Sequence, residues 1–131
     1  PVVAAGEDGV LRALEAGACD IVCVKPARLG GIAETRRVHD LCVAADVPMW
    51  AGGMLETGVG RAVLVSVAAM PGFTIPGDVS ASDRWFERDV TEPFVLHDGS
   101  VDVPTGPGIG RRPLPEVLDA LTISRETFVP V

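Results

Sequence analysis

Three short apolar runs end about 26 residues apart, near Lys25, Ala51 and Gly77, and this spacing governs what the chain can fold into. A strand, two short loops and a helix fill such an interval, so each interval has the size of one β/α unit. The intervening segments are patterned to match. Val10, Leu11, Ala13 and Leu14 have helical spacing over 9–16, and Gly17 sits where a helix C-terminal glycine belongs. Residues 20–24 form a β-branched run suited to a buried parallel strand. A helix is expected over 32–45, with Ile32, Val38, Leu41 and Cys42 on its inner face, then a strand over 47–50. A third helix, over 58–70, is rich enough in Ala and Val to be buried on more than one side. A third strand is expected over 73–75. The units share no residues beyond the glycines, so the periodicity is architectural and argues for parallel strands with right-handed crossovers.

After Asp78 the character changes. Residues 80–89 are polar and aromatic, with room for a short helix. Phe94-Val95-Leu96 and Val101-Asp102-Val103 flank an Asp98-Gly99 turn and read as a β-hairpin. Residues 105–110 form a glycine-rich loop, residues 115–121 a short helix opening on proline, and residues 126–131 a weakly marked tail. The chain thus divides into β/α units over 1–79 and a loop, hairpin and tail over 80–131, within one domain. Three parallel strands leave two open edges, whereas a closed eight-stranded β/α barrel takes about 250 residues. The expected architecture is therefore α/β, the C-terminal part of a TIM-like barrel. The chain opens on Pro1 rather than Met, so further sequence is expected upstream.

Composition excludes several classes. Apolar residues make up 47% of the 131, which argues against disorder, and no run approaches the roughly 18–20 residues of a membrane span. The net charge of −7 comes without any basic cluster, so nucleic acid is not an expected partner. Three cysteines, an odd number, argue for a reducing cytosol, and Cys19 and Cys23 read as buried thiols rather than a metal pair.

The cation count points to one residue. Ten of the eleven basic residues are arginine, and the single lysine, Lys25, directly follows Ile21-Val22-Cys23-Val24. Arginine cannot usefully lose its proton, whereas a desolvated lysine can. A lysine snorkelling at a strand end is the plainer alternative. In β/α architectures the working residues lie where strands end. Here those positions hold Val24-Lys25-Pro26, residues 51–58 and Pro76-Gly77-Asp78, which would present a cation, a glycine-lined surface and a carboxylate to one pocket.

Four segments, IVCVKPARLGG, VPMWAGGMLETGVGRA, FTIPGDVSASDRW and VPTGPGIG, together resemble the o-succinylbenzoate synthase and N-acylamino acid racemase group of the enolase superfamily. The resemblance runs from about Leu11 to Gly110. It implies that Lys25 is the second catalytic lysine, at the end of the sixth barrel strand, opposite another lysine across the substrate. It implies that Gly53, Met54 and Leu55, ending the seventh strand, contact the substrate's acyl portion. Asp78 at the eighth strand's end and Trp85 would complete the pocket. The substrate would be a small carboxylate, the reaction removal of the proton beside it, and the product either an intermediate of menaquinone synthesis or an epimerised N-acylamino acid. A cytoplasmic homo-oligomer is expected for the full-length protein.

The resemblance also implies Mg²⁺, because a cation on the developing dianion makes so weak an acid ionisable. Here the pattern departs from the family. The third metal carboxylate should lie about two dozen residues before Lys25, at Pro1, and the other lysine and carboxylates should precede the chain. No metal ligand is therefore assigned within it, and Glu7 and Asp8 read as helix-start acids. This chain alone is expected to be inactive. A non-catalytic module binding a small anion, or an inactive barrel fragment, is the alternative.

Other polar residues are given plain roles. Glu56 either reaches the pocket or supports the third helix. Asp78, Ser80, Ser82 and Asp83 lack calcium-loop spacing. His39, on a polar helix face, and His97, at a turn, are assigned to surface or packing. The loop over 106–110 is either an anion nest or a turn packed on the barrel.

Overall fold

The computed structural model describes residues 2–3 and 6–129, with side chains from Gly6 onward. Pro1, where the family pattern would place a metal carboxylate, and the last two residues of the tail lie outside the described residues. Three parallel strands, β1 (Val2–Val3), β2 (Val22–Val24) and β3 (Met49–Ala51), form a sheet in the order β1-β2-β3. Val3 pairs with Cys23 and Cys23 with Trp50, so the three strands are in register through one row. All three residues of the central strand are buried, as its β-branched composition requires.

Helices α1 (Glu7–Glu15) and α3 (Ile32–Ala44) pack together, and their apolar residues close over the sheet. Val10, Val38 and Cys42 meet Val22, Val24 and Met49 in the main core, with Leu29 at its edge. Leu41 packs against this core half-buried, but Ile32 is 55% exposed. Ile32 sits at the first position of α3, where the chain has just turned at Gly31, and its side chain falls outside the buried stripe. Glu34 reaches from α3 to accept the Glu7 N–H at 2.9 Å, so one helix caps the start of the other.

Between β2 and α3 lies a four-residue helix, α2 (Pro26–Leu29), where the sequence suggested only a strand end and a loop. Pro26 occupies its first turn, where the missing N–H costs nothing. Lys25 caps it, with its carbonyl accepting from Arg28 and Leu29.

The expected strand over 73–75 is not a regular strand. Met49 N–H donates to Gly72 O, Ile75 N–H to Met49 O, Asp78 N–H to Ala51 O, and Gly53 N–H to Asp78 O. Residues 72–78 therefore run alongside residues 49–53, seven against five, with Gly52 and Asp78 forming a parallel bridge. The two extra residues and Pro76, which has no N–H, break the regular ladder. The place beside β3 is as expected; the regularity is not.

Helix α4 (Gly58–Ala68) is buried on two sides. Ala62 and Val65 meet Phe94, Val79, Val101 and Ile109 in a second core, while α2, α3 and β3 lie against the rest of the helix. The region over 80–89 contains a single 3₁₀ turn, Ser82–Arg84. The expected hairpin is reduced to its turn: His97 and Ser100 exchange bonds of 2.8 and 2.9 Å around Asp98 and Gly99, both at positive φ. That turn is the primed type an Asp-Gly pair favours, but its flanks lie on α4 and pair no further. Helix α5 spans Pro115–Leu121 as expected. Ile109 in the second core and Arg111 over the Phe94 ring show that the glycine loop is a packed turn.

Candidate active site

The strand ends converge on Gly53. Its N–H donates to Asp78 O at 2.9 Å, and its carbonyl accepts from Lys25 Nζ at 2.7 Å. One residue thus ties the end of β3 to both neighbouring segments. Lys25 is half-buried, its stem lying over Gly52. A β-carbon at Gly52 would stand 2.7 Å from Cys23 Sγ and 2.9 Å from Lys25 Nζ, and one at Gly53 would collide with the Asp78 carbonyl. Both glycines are therefore fixed by close approach: one leaves room for the lysine, the other for a neighbouring backbone.

A cleft of about 190 Å³ opens beside this junction, lined by Gly53, Met54, Leu55, Asp78, Ser80, Arg84 and Trp85. All five residues expected to contact substrate, Gly53, Met54, Leu55, Asp78 and Trp85, line it. Lys25 is not in the lining; it bonds to Gly53, which is. Met54, Leu55 and Trp85 are 41%, 67% and 47% exposed, so the apolar wall faces outward from the fold and is available to a ligand. Trp85 is held at both ends: its indole N–H donates to Ser80 Oγ at 3.1 Å, and the Arg84 guanidinium lies over its ring at 5.1 Å.

Glu56 is not in the cleft lining, and its side-chain carbons lie against Gly60 in the first turn of α4. Its carboxylate turns back on its own loop and accepts the Met54 N–H at 2.8 and 2.9 Å from its two oxygens. The start of α4 is served instead by buried Asp89, which accepts the Gly58 N–H at 2.7 Å and the Ser82 hydroxyl at 2.6 Å. Ser82 and Ser80 thus make loop hydrogen bonds, as their spacing suggests. His39, expected on a polar face, is 8% exposed: its ring accepts the Gly72 N–H at 3.3 Å, contacts Asp40 at 2.8 Å and stacks on Phe73. Its role is packing, between α3 and the segment beside β3.

Sequence reasoning passed over Arg61, which is buried at 1% exposure and bonds to Ser80 and to the Glu56 carbonyl. The signal was present: Arg61 is the one charged residue in α4. Burial raises the thiol pKa of Cys23, and it pushes Cys42 up to about 11, so both stay protonated near neutrality. Among the described residues no three His, Cys, Asp or Glu side chains come together in a way that could hold a metal.

Lys25, ending one strand, bonds to Gly53 just beyond the next, beside an open cleft with polar and apolar walls, at the strand ends where β/α barrels carry their working residues. The chain belongs to the enolase C-terminal domain-like family, which it matches over residues 3–117. It is 56% identical over 113 residues to an N-succinylamino acid racemase from Amycolatopsis, covering 86% of this chain and 31% of that protein. It is 46% identical over 104 residues to the o-succinylbenzoate synthase of Geobacillus stearothermophilus, covering 79% and 28%. An enolase-superfamily crystal structure from Listeria innocua superposes with a TM-score of 0.87 at 38% identity, over 92% of this chain and 33% of that one. The chain therefore spans about a third or less of the length of these relatives. The fold is that of the C-terminal barrel portion of the superfamily, and the named relatives are racemases and synthases.

Proposed function

We propose that this chain supplies the last strand ends of a lyase or isomerase that removes the proton beside a carboxylate, with Lys25 as an acid/base. The observation that supports the reading is the bond from Lys25 Nζ to Gly53 O, which holds the chain's single lysine against a glycine that lines the cleft. Gly53, Met54 and Leu55 would hold the acyl portion of the substrate, with Asp78 and Trp85 completing the pocket. The names of the relatives suggest two outcomes, o-succinylbenzoate formation or racemisation of an N-succinylamino acid; the family resemblance widens these to menaquinone synthesis and N-acylamino acids.

The chemistry asked of Lys25 is a proton transfer. As a neutral amine it takes the proton from the carbon beside the carboxylate, and the C–H electron pair moves onto the carboxylate as an enediolate. As an ammonium it returns a proton to that carbon from its own face. Racemisation needs an acid and a base on opposite faces, and the partner base would come from residues outside this chain. The residues described here do not fit a metal site. The Mg²⁺ that the family resemblance implies would be held by residues outside this chain. Full-length, the protein would be a cytoplasmic homo-oligomer. The test is to incubate the intact polypeptide, with Mg²⁺, with N-succinylamino acids and with the precursor that dehydrates to o-succinylbenzoate, following optical rotation and dehydration. Turnover of either substrate supports the reading. Tight binding without turnover of either would leave Lys25 as the counter-ion of a binding module.

A further inference from the structure

Among the described residues one buried cation, Arg61, has no counter-ion. Arg61 is 1% exposed and forms none of the ion pairs found among the described residues. It lies in the first turns of α4, where backbone N–H groups without an intrahelical acceptor make the helix end positive. Asp89, the carboxylate at that end, is occupied by the N–H groups of Gly58 and Val90 and by the Ser82 hydroxyl. Burying a charge without an opposite charge is costly. Such a departure from local rules is expected where a residue does something an apolar one cannot.

What Arg61 does is join two loops. Helical side chains lean toward the N-terminus, so its guanidinium projects past Gly58 into the strand-end loops. Nη2 donates to Glu56 O at 3.0 Å, and Nη1 donates to the Ser80 carbonyl and, at 3.0 Å, to Ser80 Oγ. Glu56 in turn holds the Met54 N–H, and Ser80 Oγ accepts from the Trp85 indole. The Met54–Leu55 wall of the cleft is thereby connected to the Ser80–Trp85 wall through one rigid, planar group. Its Nε has no partner among the described residues, so the fork is placed to serve the two loops and leaves its own third nitrogen unsatisfied.

We infer that Arg61 is a positioning residue that fixes the width of the substrate cleft, acting through Glu56 and Ser80. The inference rests on the acid/base reading above for what the cleft holds, but not for the geometry of the clamp. The test is Arg61→Lys in the intact enzyme, since an ammonium keeps the charge but lacks the planar fork. The kcat/KM for N-succinylamino acids should fall on the order of 10- to 100-fold. The loss should be carried by KM, with kcat little changed, because the Lys25–Gly53 bond does not pass through Arg61. In protein labelled with fluorotryptophan, the Trp85 resonance, assigned by its loss in Trp85→Phe, should shift in the absence of substrate.

A purely structural Arg61 would lower the melting temperature yet leave KM and the Trp85 resonance of the folded enzyme unchanged, and that result overturns the inference. Should Arg61→Lys fail to fold, Ser80→Ala decides the matter, because it removes the hydroxyl shared by Arg61 and Trp85 and keeps the backbone. A raised KM and a shifted resonance support the clamp; neither changing overturns it. If the unmodified enzyme turns over no substrate of either kind, the catalytic reading fails by itself. The Trp85 resonance still reports on the clamp in that case.

Discussion

Lys25 Nζ donates to the carbonyl of Gly53 at 2.7 Å, across the gap between two neighbouring strand ends. The contact orients a flexible side chain that would otherwise sample many rotamers, and it does so with a backbone acceptor that cannot itself titrate. Gly53 is held from its other side by Asp78 O, so the lysine's position is set by three segments of backbone.

The two glycines beneath the lysine should respond differently to alanine. In Gly52→Ala the added methyl meets the Cys23 thiol and the movable end of Lys25. The protein should fold, and activity of the intact enzyme should fall on the order of 100-fold through a misplaced lysine. In Gly53→Ala the methyl meets the Asp78 carbonyl, which is backbone and cannot step aside. That variant should lose about 1–3 kcal/mol of stability. Thermal melts alongside rate measurements separate the two cases.

Asp89 should be the most sensitive carboxylate in the fold. Asp89→Ala leaves the Gly58 N–H, the Val90 N–H and the Ser82 hydroxyl without their acceptor at a buried helix start. A loss of about 2–3 kcal/mol is expected by urea denaturation, and Asp89→Asn, which keeps one oxygen, should lose less.

Stability should depend on pH at both ends of the range. The Glu7 N–H and the Arg37 guanidinium hold the Glu34 carboxyl below its ordinary range. Its contribution is present above the unfolded pKa and is lost as pH falls through the lower folded value, so Glu34→Gln should flatten the acid limb. Burial raises the Cys42 thiol from 9.0 to about 11. Its contribution is complete below 9.0 and declines as pH climbs toward 11, because the unfolded thiol ionises first. Cys42→Ala should lessen that alkaline decline, leaving the part that buried Cys23 contributes, measured as denaturation midpoint against pH.

Much of this arrangement is legible in the sequence, for reasons that lie in particular residues. The β-branched run before Lys25 and the glycine pair after Ala51 mark their strand ends, and Pro115 marks the start of α5. What is illegible depends on tertiary context. Pro26 reads equally as a strand's end or a helix's first turn, and only the structure chooses the helix. Residues 73–75 have strand composition, but the two extra residues pairing beside β3 depend on how far apart Gly72 and Asp78 must lie. His39 looks exposed by pattern and is buried because Gly72 and Phe73 close over it. Arg61 stands out in an apolar helix, yet its partners are loop atoms that no spacing predicts.

The 131-residue chain by itself should bind Mg²⁺ weakly, since no three candidate ligands meet among the described residues. Isothermal titration should show no stoichiometric site of micromolar affinity; a site of that strength would mean that the chain contains its own metal centre.

The central claim is that Lys25 moves a proton. Its most direct test is deuterium exchange at the carbon beside the substrate carboxylate, followed by NMR in the intact polypeptide and in Lys25→Arg. Arginine keeps the charge but fixes the proton, so exchange should fall by about 10²–10⁴. The loss should be greatest for the enantiomer whose proton faces Lys25, with the fold preserved by circular dichroism. Retention of most of the exchange by Lys25→Arg would make the lysine a structural cation and contradict the account.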